Sequence, residues 1–378
     1  MQLASPVTHP VWRILHTEAS LGWGGQERRI VAELEGFRRR GSWVGLTTPE
    51  GARIGEQARI RQIPCSALSL VRWRFPFEIC RLAAAFRRDR VQILNPHSSR
   101  DSWMAGLAGR MARVPLIIRS RHFDIPIGSP AVSRFAYRRL ADHIITTSPR
   151  ITEAFRELFD LSADRISTIP TGIDMEVFKP SGERLAESWQ VPIGAIPLVG
   201  MIGVFRWAKG HEILLQASRL LADQGFPIHC VLVGEGPGVE RIRNLAAELR
   251  LSDAVTFLGE RNDVPRILRA LKVLAMPSLH EGIPQVGLQA LACGVPLVAS
   301  DVGGLPFIVR DGETGCLVKP GDPGALAAGL QRVLQSPDLS QRMAERGRIF
   351  VETHHSLERM LDSLQSLYLR HLTQRPAV

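Results

Sequence analysis

Residues 278–304 read S-L-H-E-G-I-P-Q-V-G-L-Q-A-L-A-C-G-V-P-L-V-A-S-D-V-G-G, and their punctuation decides the fold. An apolar run ending in Met276 and Pro277 leads into a loop carrying Glu281 and Gly282. A helix is expected to open with Pro284 near its first position, where the missing N–H costs nothing. Gly294 and Pro296 stop that helix, and L-V-A-S follows as a short strand. Strand, loop, helix and strand in that order gather an acidic side chain and unpaired backbone N–H groups at a helix N-terminus. Such an end attracts phosphate, because its donors and the positive end of the helix dipole both point outward.

The bulk of the chain fits this reading. At ~150 residues per domain, 378 residues suggest two domains. A hydrophobic fraction of 45% and a charged fraction of 22% are ordinary for globular chains with a large core. No apolar run reaches the ~18–20 residues of a membrane-spanning helix. The opening M-Q-L-A-S-P-V-T-H-P lacks the basic-then-apolar order of a signal peptide. Five cysteines (65, 80, 230, 293 and 316) are scattered without C-x-x-C spacing, so reduced thiols of a cytoplasmic chain, and no metal site, are expected. Charge is unevenly spread: residues 1–180 hold 27 Lys and Arg against 17 Asp and Glu, whereas residues 181–378 hold 20 of each. A negatively charged partner for the first half is one reading of that excess; ordinary solvated helix faces are the other.

In the first half, a strand at Trp12–Ala19 runs into L-G-W-G-G-Q-E, where Gly22, Gly24 and Gly25 suit a close approach of ligand to main chain. The helix that follows buries Ile30, Val31, Leu34 and Phe37 on one face. Residues 70–90 interleave aromatics with arginines. From Pro76 a helix groups Phe77, Cys80, Ala84 and Phe86, with Arg81, Arg87 and Arg88 beside them. This is either an interfacial contact with anionic membrane or a helix packed on a sheet with a solvated basic edge. No nucleic-acid recognition motif accompanies the charge, so nucleic acid is set aside. Strands ending at His97 and at His122 place both histidines at the crevice side of an open parallel sheet.

Residues 181–197 lose periodicity and gain Pro and Gly, which marks a linker. The expected division is 1–180, the linker 181–197, 198–352, and a closing helix over 353–378. After the linker, P-L-V-G-M-I-G-V-F reads as a strand, and Arg206 and Lys209 sit on the loop behind it. Two fixed cations neutralise a diphosphate, Arg through a fork and Lys as a point charge. Gly234, Gly236 and Gly238 do not give the G-x-G-x-x-G of a dinucleotide site.

Taken together, these segments resemble the retaining family 4 glycosyltransferases. Residues 281–300 are similar to E-G-x-P-x-x-x-x-E-A followed by G-x-P-V-[IV]-[AG]-[ST], with Gln289 where the second Glu is usual. Residues 169–180, I-P-T-G-I-D-M-E-V-F-K-P, resemble V-I-P-N-G-V-D-x-x-x-F-x-P, and D-G-E-T-G-C-L-V-K-P-G-D is close to the family's N-G-x-x-G-x-L-V-x-P-G-D. The L-G-W-G-G-Q-E loop resembles the G-G-x-E loop of B-type (GT-B) transferases.

The resemblance implies an α/β chain of two Rossmann-like domains, each a doubly wound parallel sheet, facing across a cleft, with the last helix crossing back onto the first domain. It implies that Glu281, His122, Arg206 and Lys209 serve catalysis. Gly24, Gly25, Gly234, Arg261, Val264, Gly282, Ile283, Pro284, Gln285, Val286 and Gln289 are assigned to the donor, and His97 and Gln26 to the acceptor side. The donor is a nucleoside diphosphate sugar and the acceptor a glycan or glycolipid, as in enzymes building lipopolysaccharide and other cell-envelope glycans at the inner membrane face. No D-x-D string is present, so a metal-independent reaction without cofactor is expected. Two alternatives remain at this point: a degenerate member that binds a nucleotide-sugar or a partner without turnover, and an epimerase on the same architecture.

Overall fold

The computed structural model describes residues 9–122, 130–184 and 196–373. The chain forms two compact units, residues 1–172 with 357–378, and residues 173–356. The boundaries expected at 180 and 353 thus fall at 172 and 356. The segment after Gly172 packs Met175 and Phe178 onto the core of the second unit, and the Ile173 N–H donates to the His355 carbonyl at 2.7 Å. Most of the expected linker, 185–195, lies outside the described residues.

In the first unit, β1 (Arg13–Thr17), β2 (Trp43–Thr48), β3 (Cys65–Ala67), β4 (Ile93–Pro96), β5 (Leu116–Arg121), β6 (His143–Thr146) and β7 (Ile166–Thr168) form one sheet. Every pairing is parallel, in the order β3-β2-β1-β4-β5-β6-β7. Helices α1 (Gly25–Arg39), α2 (Arg53–Ile60), α3 (Phe75–Arg88), α4 (Ser99–Ala112), α5 (Pro130–Phe135) and α6 (Pro149–Phe159) connect the strands. As predicted, α1 buries Ile30, Val31, Leu34 and Phe37.

The face of α3 differs from expectation. Leu82, Ala83 and Phe86 turn inward, while Phe77, Cys80 and Ala84 share the outer face. Leu82, Ala83 and Phe86 pack into one apolar cluster with Leu15, Leu94 and Ile117 of the sheet, and that burial decides which face turns in; the Glu78 carboxylate accepts the Ser69 N–H at 2.9 Å on the same side.

The second unit holds β8 (Leu198–Ile202), α7 (His211–Asp223), β9 (His229–Val233), α8 (Val239–Glu248), β10 (Val255–Phe257), α9 (Val264–Ala270), β11 (Val273–Met276), α10 (Gln285–Ala292), β12 (Leu297–Ser300), β13 (Gly315–Val318), α11 (Pro323–Leu334) and α12 (Pro337–His355). Its parallel sheet runs β10-β9-β8-β11-β12-β13. Both faces of such a sheet are covered, so its strands read as near-continuous apolar runs; V-L-A-M and L-V-A-S are buried at every position.

The last helix, α13 (Leu357–Thr373), belongs to the first unit. Leu357, Leu361, Leu364 and Tyr368, at steps of three and four, give it one apolar face. Tyr368 packs against Phe37 at 5.3 Å and Trp12 at 5.6 Å between ring centroids. Gly36 makes room for it, since a Cβ there would lie 2.4 Å from Leu361.

Candidate functional site

An open parallel sheet binds ligands beyond the carboxyl ends of its strands, where the strand order reverses. In the second unit that point lies between β8 and β11, and the loops following these two strands are tied together there. The Leu279 N–H donates to the Ala208 carbonyl at 2.8 Å. Lys209 Nζ donates to Glu281 Oε2 at 2.6 Å, and Ser278 Oγ donates to the same oxygen at 3.1 Å. The Trp207 ring meets His280 edge-on at 5.7 Å. One glycine makes the approach possible, since a Cβ at Gly210 would sit 2.0 Å from the Pro277 carbonyl oxygen; Gly304, after β12, likewise lets that loop reach the β11 loop, where a Cβ would lie 2.2 Å from the Gly282 carbonyl oxygen.

The result is a carboxylate and an ammonium held side by side at the mouth of α10, with side chains 11% and 30% exposed. Pro284 is the residue just before α10 rather than its first, with extended backbone. The N–H groups of the opening stretch therefore come from Ile283, Gln285 and Val286, since Pro284 has none. Gln289 lies half-buried one turn further on.

Other predicted donor residues take different places. Arg206 is exposed on the same loop as Lys209 and makes no contact with Glu281; it lines a narrow cavity with Trp207, His211 and Arg241. Arg261 is held by Asp263 through two bonds of 2.9 Å. The Val264 side chain belongs to the hydrophobic core, leaving only its main chain for a ligand. Gly234 adopts φ +134°, with its would-be Cβ 2.0 Å from the Gly203 carbonyl oxygen, so it serves the packing of two loops.

In the first unit the reversal lies between β1 and β4, and a buried polar cluster occupies it. The Glu18 carboxylate accepts from Ser98 Oγ and Gln26 Nε2, and from the Ser20 N–H at 2.7 Å. Asp101 Oδ2 accepts from Thr17 Oγ1 at 2.6 Å and from the His97 N–H at 3.1 Å. Burial, then the neighbouring Glu18 charge, pushes the Asp101 carboxyl up to about 8, and burial raises Glu18 as well. His122 follows β5 as predicted and is half-buried. His97 is 4% exposed, and both its ring nitrogens are engaged by other histidines, so it has none left for an acceptor.

Gly24 and Gly25 serve the start of α1, where the Gly24 N–H donates to Glu27 at 2.7 Å. Neither adopts a positive φ, so the conformational freedom expected of them is unused. Glu18, Asp101 and Ser278 were not foreseen. A polar triplet, His16-Thr17-Glu18, closing an apolar strand was the available signal for the first unit.

The chain is similar in sequence and in fold to known proteins. The profile described as Glycosyltransferase Family 4 matches residues 23–177, and that described as Glycosyl transferases group 1 matches residues 187–350. A D-inositol 3-phosphate glycosyltransferase from Corynebacterium urealyticum is 35% identical over 233 residues, 57% of this chain; the chain spans about half of that relative's length, 54%. The protein of the same name from Corynebacterium glutamicum is 29% identical over 362 residues, 85% of this chain and 86% of that one. Among solved structures, Anabaena HepE in complex with UDP and glucose superposes with a TM-score of 0.79 at 19% identity, covering 94% of this chain and 98% of the other.

Proposed function

We infer that this chain, which belongs to the glycosyltransferases of group 1 and family 4, moves a glycosyl group from a nucleoside diphosphate sugar to a glycan or glycolipid acceptor with retention of configuration. The observation that carries the reading is the Lys209–Glu281 pair at the strand-order reversal of the second unit. With donor bound, Lys209 turns to the diphosphate and the Ile283, Gln285 and Val286 N–H groups share its charge. Glu281, freed of that partner, accepts from sugar hydroxyls.

As the bond from the anomeric carbon to phosphate breaks, negative charge grows on the leaving diphosphate, where these donors already point. The acceptor oxygen bonds to the anomeric carbon on the face the phosphate leaves, and its proton passes to a phosphate oxygen. This route calls on no metal. The HepE complex with UDP and glucose supports a uridine nucleotide as the first donor to try. A role in cell-envelope glycan synthesis, lipopolysaccharide included, at the inner face of the cytoplasmic membrane fits the basic first half.

A thermal-shift series with UDP, GDP, ADP and TDP and their sugars tests the donor. A ligand at a hundred times its Kd stabilises by about 2.7 kcal/mol. One nucleotide is expected to raise the transition by several degrees, and silence from all of them at millimolar concentration sinks the reading. Binding with no transfer to any glycan would instead mark a member without turnover.

Acceptor lipid gives the first unit a reason to touch membrane. No helix among the described residues is long and apolar enough to cross one. Trp73 and Phe77, 76% and 73% exposed, stand among Arg74 and Arg81 at the start of α3. Apolar insertion beside cations is how an interfacial helix binds anionic lipid. The protein should float with anionic vesicles at low salt, and the Trp73→Ala, Phe77→Ala double variant should not; equal flotation of both counts against this contact.

A further inference from the structure

Three histidines at the carboxyl edge of the first sheet form one hydrogen-bonded file. His16 lies in β1, His97 follows β4 and His122 follows β5, three adjacent strands. His16 Nδ1 meets His97 Nε2 at 2.9 Å, and His97 Nδ1 meets His122 Nε2 at 2.9 Å. Ring centroids are 4.9 and 5.1 Å apart and the planes are tilted by only 31° and 27°. Rings so placed are joined edge to edge through facing nitrogens. The nitrogens pair off in sequence, and no metal-holding group of three or more His, Cys, Asp or Glu occurs among the described residues.

Burial keeps all three rings neutral, holding His16 down to about 3 and the other two well below the ordinary histidine value. A neutral imidazole has one N–H and one lone pair. In a file of N–H···N bonds, the choice made at one ring therefore dictates the next.

The inner end of the file faces Glu33. Glu33 Oε2 lies 4.0 Å from His16 Nε2 and accepts no hydrogen bond, while Oε1 accepts from Arg29 Nε at 2.7 Å. Arg29 sends Nη1 to the Ile169 carbonyl and Thr171 Oγ1, and none of its N–H groups donates to His16. A carboxylate facing Nε2 favours a proton there over a lone pair. His16 Nδ1 then accepts from His97 Nε2–H, and His97 Nδ1 accepts from His122 Nε2–H.

We propose that Glu33, acting through His16 and His97, fixes His122 as its Nε2–H tautomer and leaves Nδ1 as a hydrogen-bond acceptor. Glu33, His16 and His97 are positioning residues. His122 consequently takes a hydrogen bond from a substrate hydroxyl at Nδ1 and has no proton there to give a phosphate oxygen. Only that last consequence rests on the transferase reading; the tautomer does not.

Long-range proton–nitrogen NMR of the full chain, labelled with nitrogen-15 at histidine, reads each ring directly. His122 should show a protonated Nε2 and a bare Nδ1. In Glu33→Gln the single tautomer at His122 should give way to a mixture, with kcat down about tenfold and the thermal shift by UDP unchanged. A wild-type His122 protonated at Nδ1, or a Glu33→Gln spectrum identical to wild type at that ring, overturns the proposal. The wild-type spectrum decides even if the variant fails to fold. A chain with the expected tautomers but no nucleotide binding would overturn the donor reading alone.

Discussion

Lys209→Met is expected to lower transfer by a hundredfold to a thousandfold, the range that follows loss of one preorganised donor to developing charge, ~3–4 kcal/mol. UDP should bind more weakly too, because a hydrogen bond to a charged group contributes about 1.5–3 kcal/mol. Glu281→Gln separates the two partners. It keeps the side chain's shape and one acceptor but removes the charge that faces Lys209 at 2.6 Å. Its damage should fall on transfer and on discrimination between sugars, while binding of UDP alone, which carries no sugar, holds or improves. Steady-state kinetics with calorimetric UDP titration checks both variants. Activity of Lys209→Met within threefold of the parent would remove the pair from the mechanism.

Asp101→Asn should change how stability varies with pH. The native Asp101 carboxyl keeps its proton up to about 8, whereas an unfolded aspartate releases it near ~3.9. Between those values the folded chain binds more protons, so its stability is full below the lower value and falls as pH rises through the window. The slope reaches at most about 1.4 kcal/mol per pH unit for one group.

The three histidines act on the other side. Held neutral in the fold, they are free to take protons once unfolded, so stability also falls as pH drops below the ordinary histidine value. Urea midpoints measured from pH 5 to 9 should therefore peak near neutrality. Asn at 101 keeps an acceptor for Thr17 and the His97 N–H, carries no titrating proton, and should flatten the alkaline limb and steepen the acid limb, where the Asp101 slope had opposed that of the histidines. An unchanged alkaline limb would show that Asp101 is ionised in the native state.

The second unit was the more legible part in sequence. Its strands are buried on both faces, so apolar runs mark them, and the glycines and prolines that end each run fall where loops must turn. Lys209 and Glu281 could be paired from sequence only through the resemblance, because 72 residues separate them. The first unit hid its chemistry better. Glu18 and Asp101 look like ordinary surface charges until contacts across 80 and 84 residues bring them to Ser98 and Thr17. His16 sits inside an apolar strand and carried no motif. In α3 the spacing of apolar residues around Phe86 suits two faces, and only the sheet beneath chooses between them. Nothing in the structure explains Gln289 in place of the usual Glu.

The return of α13 to the first unit has a bearing on biosynthesis. The second unit is one continuous stretch, whereas the first must recruit residues 357–373 to roof the apolar side of α1. On the ribosome, Trp12, Leu34 and Phe37 stay uncovered while nearly two hundred further residues emerge. The later-made unit is thus free to mature before the earlier one, and a nascent chain halted short of Tyr368 would offer chaperones a waiting hydrophobic groove.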